Sequence, residues 1–416
     1  MHMSRFFKRV TTTFLGLVLA IFMVLNTTPY SLKVEATDLM EGIESNNVEG
    51  KTVDGRFVEF TSNFSIEMFK RSFDDENTLV SPLSIMLALC MTANGADEGT
   101  LAQIEKVLGD GTKIGELNRY LLSYAKSLPN EPKSKFKISN SIWFKEGFHV
   151  ERDFLQTNAD YYNANCYRSP FDEQTLKDIN NWVKHKTDGM IDSILDRISE
   201  DAVMYLINAI VFDAEWETVY KESDIIKDDF TNLDGRKTRV DFMHSFEARF
   251  LKDDSATGFV KSYKNGGYSF VALLPNEDVS IAEYINGLTG EYFINTLENV
   301  KNQSVSAYIP KFSYEYEVGL NDILKDMGMP DAFDESKADF SRMNPDVRLV
   351  IADVLHKTFI NVDEKGTKAG AVTKVEMAPT SMPQGETVML DRPFVYAIVD
   401  NSTNLPLFIG VVTNLD

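Results

Sequence analysis

The chain has only two cysteines in 416 residues, Cys90 and Cys166, far apart and without a CxxC pair. That excludes a disulfide scaffold and leaves at most one bridge. Both stand among apolar or aromatic neighbours, so buried, inert thiols are the simpler expectation. Histidine is as sparse. The five are His2, His149, His185, His244 and His356, and no HExxH, GxSxG, GxxxxGK or GxGxxG occurs. The zinc-hydrolase, lipase-type, P-loop and dinucleotide readings each lack their usual motif, and no metal site or cofactor is expected. A Ser-His-Asp triad need not be close in sequence, but nothing here selects one. Positive charge is also short, with 42 Lys and Arg against 63 Asp and Glu and a formal net charge of -21. Such a surface repels phosphate backbones and anionic lipid, so nucleic acid and membrane surfaces are poor partners. No Lys/Arg cluster in the body argues otherwise.

A long apolar run is missing too. The N-terminus places Arg5, Lys8 and Arg9 before the apolar stretch Phe14–Leu25, which is short against the roughly 20 residues that a bilayer needs. Small Ala36 follows Val34 and Glu35, so residues 1–36 read as a secretory signal peptide, with an uncleaved anchor as the alternative. Those residues carry four basic groups and one acidic group, so removing them leaves -24. A secreted, extracellular protein is expected, with no membrane contact after signal removal.

What is present is core. At 43% hydrophobic and 11% aromatic, the chain can bury a large interior. Residues 37–56 are a polar leader. Phe57, Phe60, Phe64 and Met68 recur at helical spacing and predict a helix over 57–73. Ser81 as N-cap, Pro82 at the first turn and Gly95 beyond the end bracket a nearly all-apolar, buried helix. Further helices are expected near 100–108, 113–128, 153–165, 174–188 and 317–328. Strands are expected at 136–144, 203–212, 304–312, 347–362, 394–399 and 407–412, with hairpins over 238–275 around the turn Asn265-Gly266-Gly267. Helices dominate the first half and strands the second, without βαβ alternation, repeats or a linker. That is an α+β pattern in one domain over 57–416. Paired acids such as Asp74-Asp75, Asp228-Asp229 and Asp253-Asp254 read as solvated surface. Asn208 and His356 differ, since each sits in an apolar strand and needs a partner.

The stretch Asp363–Pro393 has two characters. Gly366, Gly370, Pro379, Pro383 and Gly385 punctuate it as an exposed loop, yet it alternates like a strand. One parity is Thr367, Ala369, Ala371, Thr373, Val375 and Met377; the other carries Lys368, Lys374 and Glu376. Such a segment can bury one face on a sheet while the other stays wet.

The chain resembles a serpin along essentially its whole mature length. The resemblance rests on Ser81-Pro82-Leu83-Ser84-Ile85, Asn181-Trp182-Val183 with Thr187 and Ile191, Leu206-Ile207-Asn208-Ala209-Ile210, Trp216, and Leu355-His356-Lys357. It continues through Asp363-Glu364-Lys365-Gly366-Thr367, Leu390-Asp391-Arg392-Pro393-Phe394-Val395 and Pro406-Leu407-Phe408-Ile409-Gly410. It implies a serpin fold: three β-sheets, about eight to nine helices and an exposed reactive-centre loop over about 364–390. A target serine protease would cut the loop as a substrate, and the loop would then enter the large sheet and trap the protease as a covalent acyl-enzyme complex. The nucleophile is the target's, so the chain itself is not an enzyme. By the same resemblance the hinge is Glu364, Gly366, Thr367, Ala369, Ala371 and Thr373. Ser81, Ser84, Asn208 and His356 form the shutter under the sheet, and Trp216 stands at the breach.

The small hinge parity favours an inhibitor; Lys368 departs from the acidic residue often seen there but falls on the outward parity. Counting from Glu364 puts the reactive bond at Thr380-Ser381, with Met377, Ala378 and Met382 as alternatives. No Arg or Lys lies between Glu376 and Arg392, which disfavours trypsin-like targets and points to elastase-like or subtilisin-like proteases. Papain-like cysteine proteases are the runner-up, and a non-inhibitory binding or storage serpin is the other class. A monomer without a heparin-type cofactor is expected.

Overall fold

The computed structural model describes residues 34–199, 202–367 and 385–416. The segment 1–33 of the expected signal peptide lies outside the described residues. So do Lys368, Ala369, Ala371, Thr373, Met377, Ala378, Thr380, Ser381 and Met382.

The first helix runs Gly55–Ser72. The Asp54 carboxylate accepts from the Phe57 N–H at its start, and Phe57, Phe60, Phe64 and Met68 are buried along one stripe. Helix Pro82–Ala93 is buried on nearly all sides, because it lies at the centre of the molecule beneath strand Met204–Glu215. Pro82 fits its first turn, where the missing N–H costs nothing. Gly95 ends this region where a β-carbon would meet Met343 at 2.8 Å.

Two hydrogen-bonded strand networks flank that helix. The first has seven strands in the order Thr37–Asp38, Asn165–Ser169, Ser134–Lys145, Met204–Glu215, Gly366–Thr367, Leu355–Val362 and Phe312–Gly319. The second is a path of eight strands from Glu386–Met389 to Thr78–Val80, with a ninth, Ile225–Thr231, beside it. Strand Lys237–Lys252 joins two sheets in this network. Opposite its partner Lys301–Pro310, its first half pairs with Ile225–Thr231 and its last residues pair with Ala256–Ser262. A bulge between Asn302 and Val305 marks the change of sheet. The architecture is thus α+β; among the described residues the strands form two continuous hydrogen-bonded networks rather than three separate sheets, because Lys237–Lys252 runs unbroken through the second.

Several elements differ from expectation. Helix 317–328 is shorter, Asn321–Met327, because Tyr314, Tyr316 and Val318 alternate with Ser313, Glu315 and Glu317 and extend strand Phe312–Gly319 instead. Strand 347–362 begins only at Leu355. Upstream, the backbone bonds irregularly, Ile351 N–H to the Ala332 carbonyl and Val354 N–H to the Asn321 side chain. The polar leader is folded against the body. Thr37 and Asp38 pair with Arg168 and Tyr167, Asn46 bonds Asp160, and Lys51 bonds Glu116. Cys90 and Cys166 are free and buried, and burial raises both thiol pKa values.

Candidate strand-insertion site

The seven-stranded sheet is incomplete at its centre. Strands Met204–Glu215 and Leu355–Val362 both pair with Gly366–Thr367, but only at its two residues: Gly366 with Glu215, Thr367 with Ala214 and Val362. Beyond that point no ladder joins the two long strands among the described residues. Among the described residues this leaves an unpaired slot between the two long strands, with Gly366–Thr367 at its mouth.

The mouth is built tightly. The Asp363 carboxylate accepts from the N–H groups of Lys365 and Gly366, closing the turn that brings the chain back beside Leu355–Val362. Gly366 is required there, since a β-carbon would lie 1.9 Å from the Ala214 carbonyl oxygen. Thr367 is buried, and its hydroxyl is 2.5 Å from that of Tyr263. The Trp216 indole donates to the Asp363 carbonyl at 2.8 Å, and the Trp216 N–H to the Lys365 carbonyl at 2.8 Å. Its ring stacks on Tyr263 at 4.5 Å and meets Phe270 edge-on. Glu364 pairs with Lys311 at 3.0 Å. Two contributors escaped sequence reasoning. Tyr263 is one; the other is Lys261, buried against Glu247 at 2.8 Å and lying over the Trp216 and Tyr220 rings.

Lower in the slot the buried polar residues form two separate sets. The Ser81 N–H donates to His356 Nε2 at 3.0 Å, while the Ser81 hydroxyl donates to the Leu407 carbonyl. The His356 ring therefore accepts, which requires the neutral imidazole, and burial holds its pKa down to about 4. In the second set Ser84 donates to Asn208 Oδ1, Asn208 Nδ2 to Asn140 Oδ1 at 2.5 Å, and Asn140 Nδ2 to the Tyr162 carbonyl. Asn140 shares the parity of Phe136, Ile138, Ile142 and Phe144, and its partnership with Asn208 follows from the pairing of their strands. Ser84, Asn208 and His356 line one small cavity between the strands, and Ile210, Phe212, Ile360 and Thr367 line another nearer the mouth. Each holds ≈ 20 Å³.

A sheet whose two long central strands meet only through the two-residue strand Gly366–Thr367, with a glycine turn leading into it, narrows the class of fold. The family model described as Serpin (serine protease inhibitor) matches residues 59–415, and the chain belongs to the serpin family. That description is of an inhibitor of enzymes rather than an enzyme. Human Serpin B7 is 30% identical over 378 residues, covering 85% of this chain and 97% of the relative. The native-state crystal structure of tengpin, a thermophilic serpin, is 54% identical, with a TM-score of 0.89 over 92% of this chain and 100% of tengpin. The latent state of tengpin matches with a TM-score of 0.80 over 88% of this chain. The fold described here thus lies nearer the native form.

Proposed function

We propose that the protein is an irreversible suicide-substrate inhibitor of serine endopeptidases with elastase-like or subtilisin-like preference. The observation that carries this is the slot with Gly366–Thr367 already paired at its mouth. Continuing that register would set Ala369 between Phe212 and Ile360, Ala371 between Ile210 and Thr358, and Thr373 between Asn208 and His356. All six flanking residues lie on strands that have no partner between them there among the described residues. The cavities beneath hold ≈ 20 Å³ each, so only small side chains enter without displacing the core. Alanine and threonine meet that condition. Asn208 and His356 would then exchange part of their present bonding for the incoming strand, a gate with a defined register.

The reading includes export through residues 1–36, with Thr380-Ser381 as the reactive bond and action as a monomer on a covalently trapped protease. Incubation of the full chain with pancreatic elastase and with subtilisin, followed by denaturing gel electrophoresis, tests it. A band resistant to SDS that contains both proteins is expected, and mass spectrometry of the released C-terminal peptide locates the bond. Complete cleavage without such a band for either protease would replace this reading with that of a non-inhibitory binding serpin.

A further inference from the structure

Among the described residues Lys261 is the only Lys or Arg that is buried. It stands near the end of strand Ala256–Ser262, after the buried Phe259 and Val260, and its ammonium lies 2.8 Å from Glu247 Oε1. The Ser245 hydroxyl donates to the same carboxylate oxygen at 2.7 Å and lies 3.1 Å from the Tyr220 hydroxyl. Burial opposes the lysine's charge, but Tyr220 and Glu247 outweigh it and raise the pKa, so the ammonium stays protonated. A buried ion pair adds little stability over apolar residues of similar volume, so this one is explained by what its charge touches.

Two buried rings cover the ammonium, Tyr220 with its centroid 4.5 Å from Nζ and Trp216 at 5.4 Å. Out of water, the attraction of a cation for an aromatic face is at its strongest. The same two residues hold the turn at the mouth of the slot. The Trp216 indole donates to the Asp363 carbonyl, the Tyr220 N–H to the Glu364 carbonyl at 2.9 Å, and the Trp216 N–H to the Lys365 carbonyl. Every carbonyl of Asp363-Glu364-Lys365 thus accepts from a residue packed on Lys261, and Gly366–Thr367 comes next in the chain.

We infer that Lys261, held by Glu247, is a positioning residue: its ammonium fixes the Trp216 and Tyr220 rings, and through them the turn that presents Gly366–Thr367 to the slot. The consequence for inhibition rests on the reading under Proposed function. There, insertion starts from the paired Gly366–Thr367 step. A turn that is not held lets that step leave its register, so entry of the cut loop slows and the acyl-enzyme is hydrolysed in more encounters. The reactive bond of that reading lies well beyond the turn in sequence, and the rate at which it is cut does not depend on the lysine.

Two variants of the full chain test this. Lys261→Met/Glu247→Gln removes the cation and leaves no buried charge unpaired, while Tyr220→Leu keeps the ion pair and removes one ring. Residue-resolved amide exchange on the uncut chain is expected to be about threefold or more faster at Trp216, Tyr220 and Thr367 in both variants, the scale of one lost cation–π contact, with strand Tyr268–Pro275 unchanged. In titrations against elastase, the ratio of cleaved chain to SDS-resistant complex should rise by about threefold or more, with the total rate of loop cutting as in the parent. Unchanged exchange at Trp216 and Tyr220 would overturn the inference. Faster exchange throughout Tyr268–Pro275, or failure of both variants to fold, would do so too, since Lys261 would then only support the sheet. Faster exchange with an unchanged ratio would sever the link to insertion. Should the parent form no complex with any protease, the inhibitor reading fails by itself, and exchange in the uncut chain still decides the role of Lys261.

Discussion

His356 carries a polar ring inside a sheet on the neutrality of one nitrogen. As an acceptor from the Ser81 N–H it must stay unprotonated, and burial lowers its pKa from 6.5 to about 4. The unfolded chain therefore takes up the proton first as pH falls. Stability tied to the neutral ring is complete above pH 6.5, declines below it and is spent near pH 4. A shift of that size corresponds to about 3 kcal/mol. Urea unfolding from pH 7.5 to 4.5 should show this loss in the parent chain and a shallower loss in His356→Gln; parallel curves would assign the acid sensitivity to other groups. Gly366 makes a second demand at this scale. Its absent β-carbon is what lets the chain approach the Ala214 carbonyl. Gly366→Ala should lower stability by about 1–3 kcal/mol, the range for forced overpacking, while Gly115→Ala in an open helical position should not. Equal melting temperatures for the two variants would contradict this account.

At the level of elements, legibility followed the range of the physics involved. Helix Gly55–Ser72 and the buried helix Pro82–Ala93 were readable because their caps and apolar spacing are local. The three aromatic and aliphatic residues Tyr314, Tyr316 and Val318 were misassigned to a helix or missed because a helix does start just beyond them, at Asn321. Asn208 and His356 stood out as polar intrusions in apolar strands. Ser81 and Ser84 came with them through the family resemblance, whereas Asn140 is brought to Asn208 only by strand pairing. The Lys261–Glu247 pair was hidden for the same reason, one residue on each of two neighbouring strands. The leader was the plainest surprise. Its composition reads as solvated chain, yet Leu39, Met40 and Ile43 pack against the core and Thr37–Asp38 add an edge strand. Deleting residues 37–49 uncovers that apolar surface and the Asn165–Ser169 edge. Three half-buried side chains at roughly 1 kcal/mol each predict a loss of about 2–4 kcal/mol, readable as a lower midpoint in thermal unfolding. A deletion variant that melts with the parent would mean that the leader is only draped on the surface.

For the molecule as a whole, the proposed function makes the present fold one of two arrangements available to the same sequence. Among the described residues nearly the full length of Met204–Glu215 and of Leu355–Val362 lacks a partner on the side facing the slot, and the sequence that follows Thr367 has the small-residue parity to supply one. While the loop is tethered at both ends, Glu386–Met389 holds its far side in parallel pairing with Val305–Tyr308. Entry of the hinge then has to pull against that anchor. Cutting the loop removes the tether, so the inserted strand gains ladder bonds and buried area with no opposing connection. Loop cleavage by elastase should therefore raise the melting temperature by far more than any single substitution changes it. Ala371→Glu tests the direction of causation, because the proposed insertion would carry residue 371 between the buried Ile210 and Thr358, where a charge without a partner is not tolerated. That variant should be cut at the same bond, gain little thermal stability and form no SDS-resistant complex with the protease. If it is stabilised by cleavage as fully as the parent, the loop does not enter between these strands and the slot has another purpose.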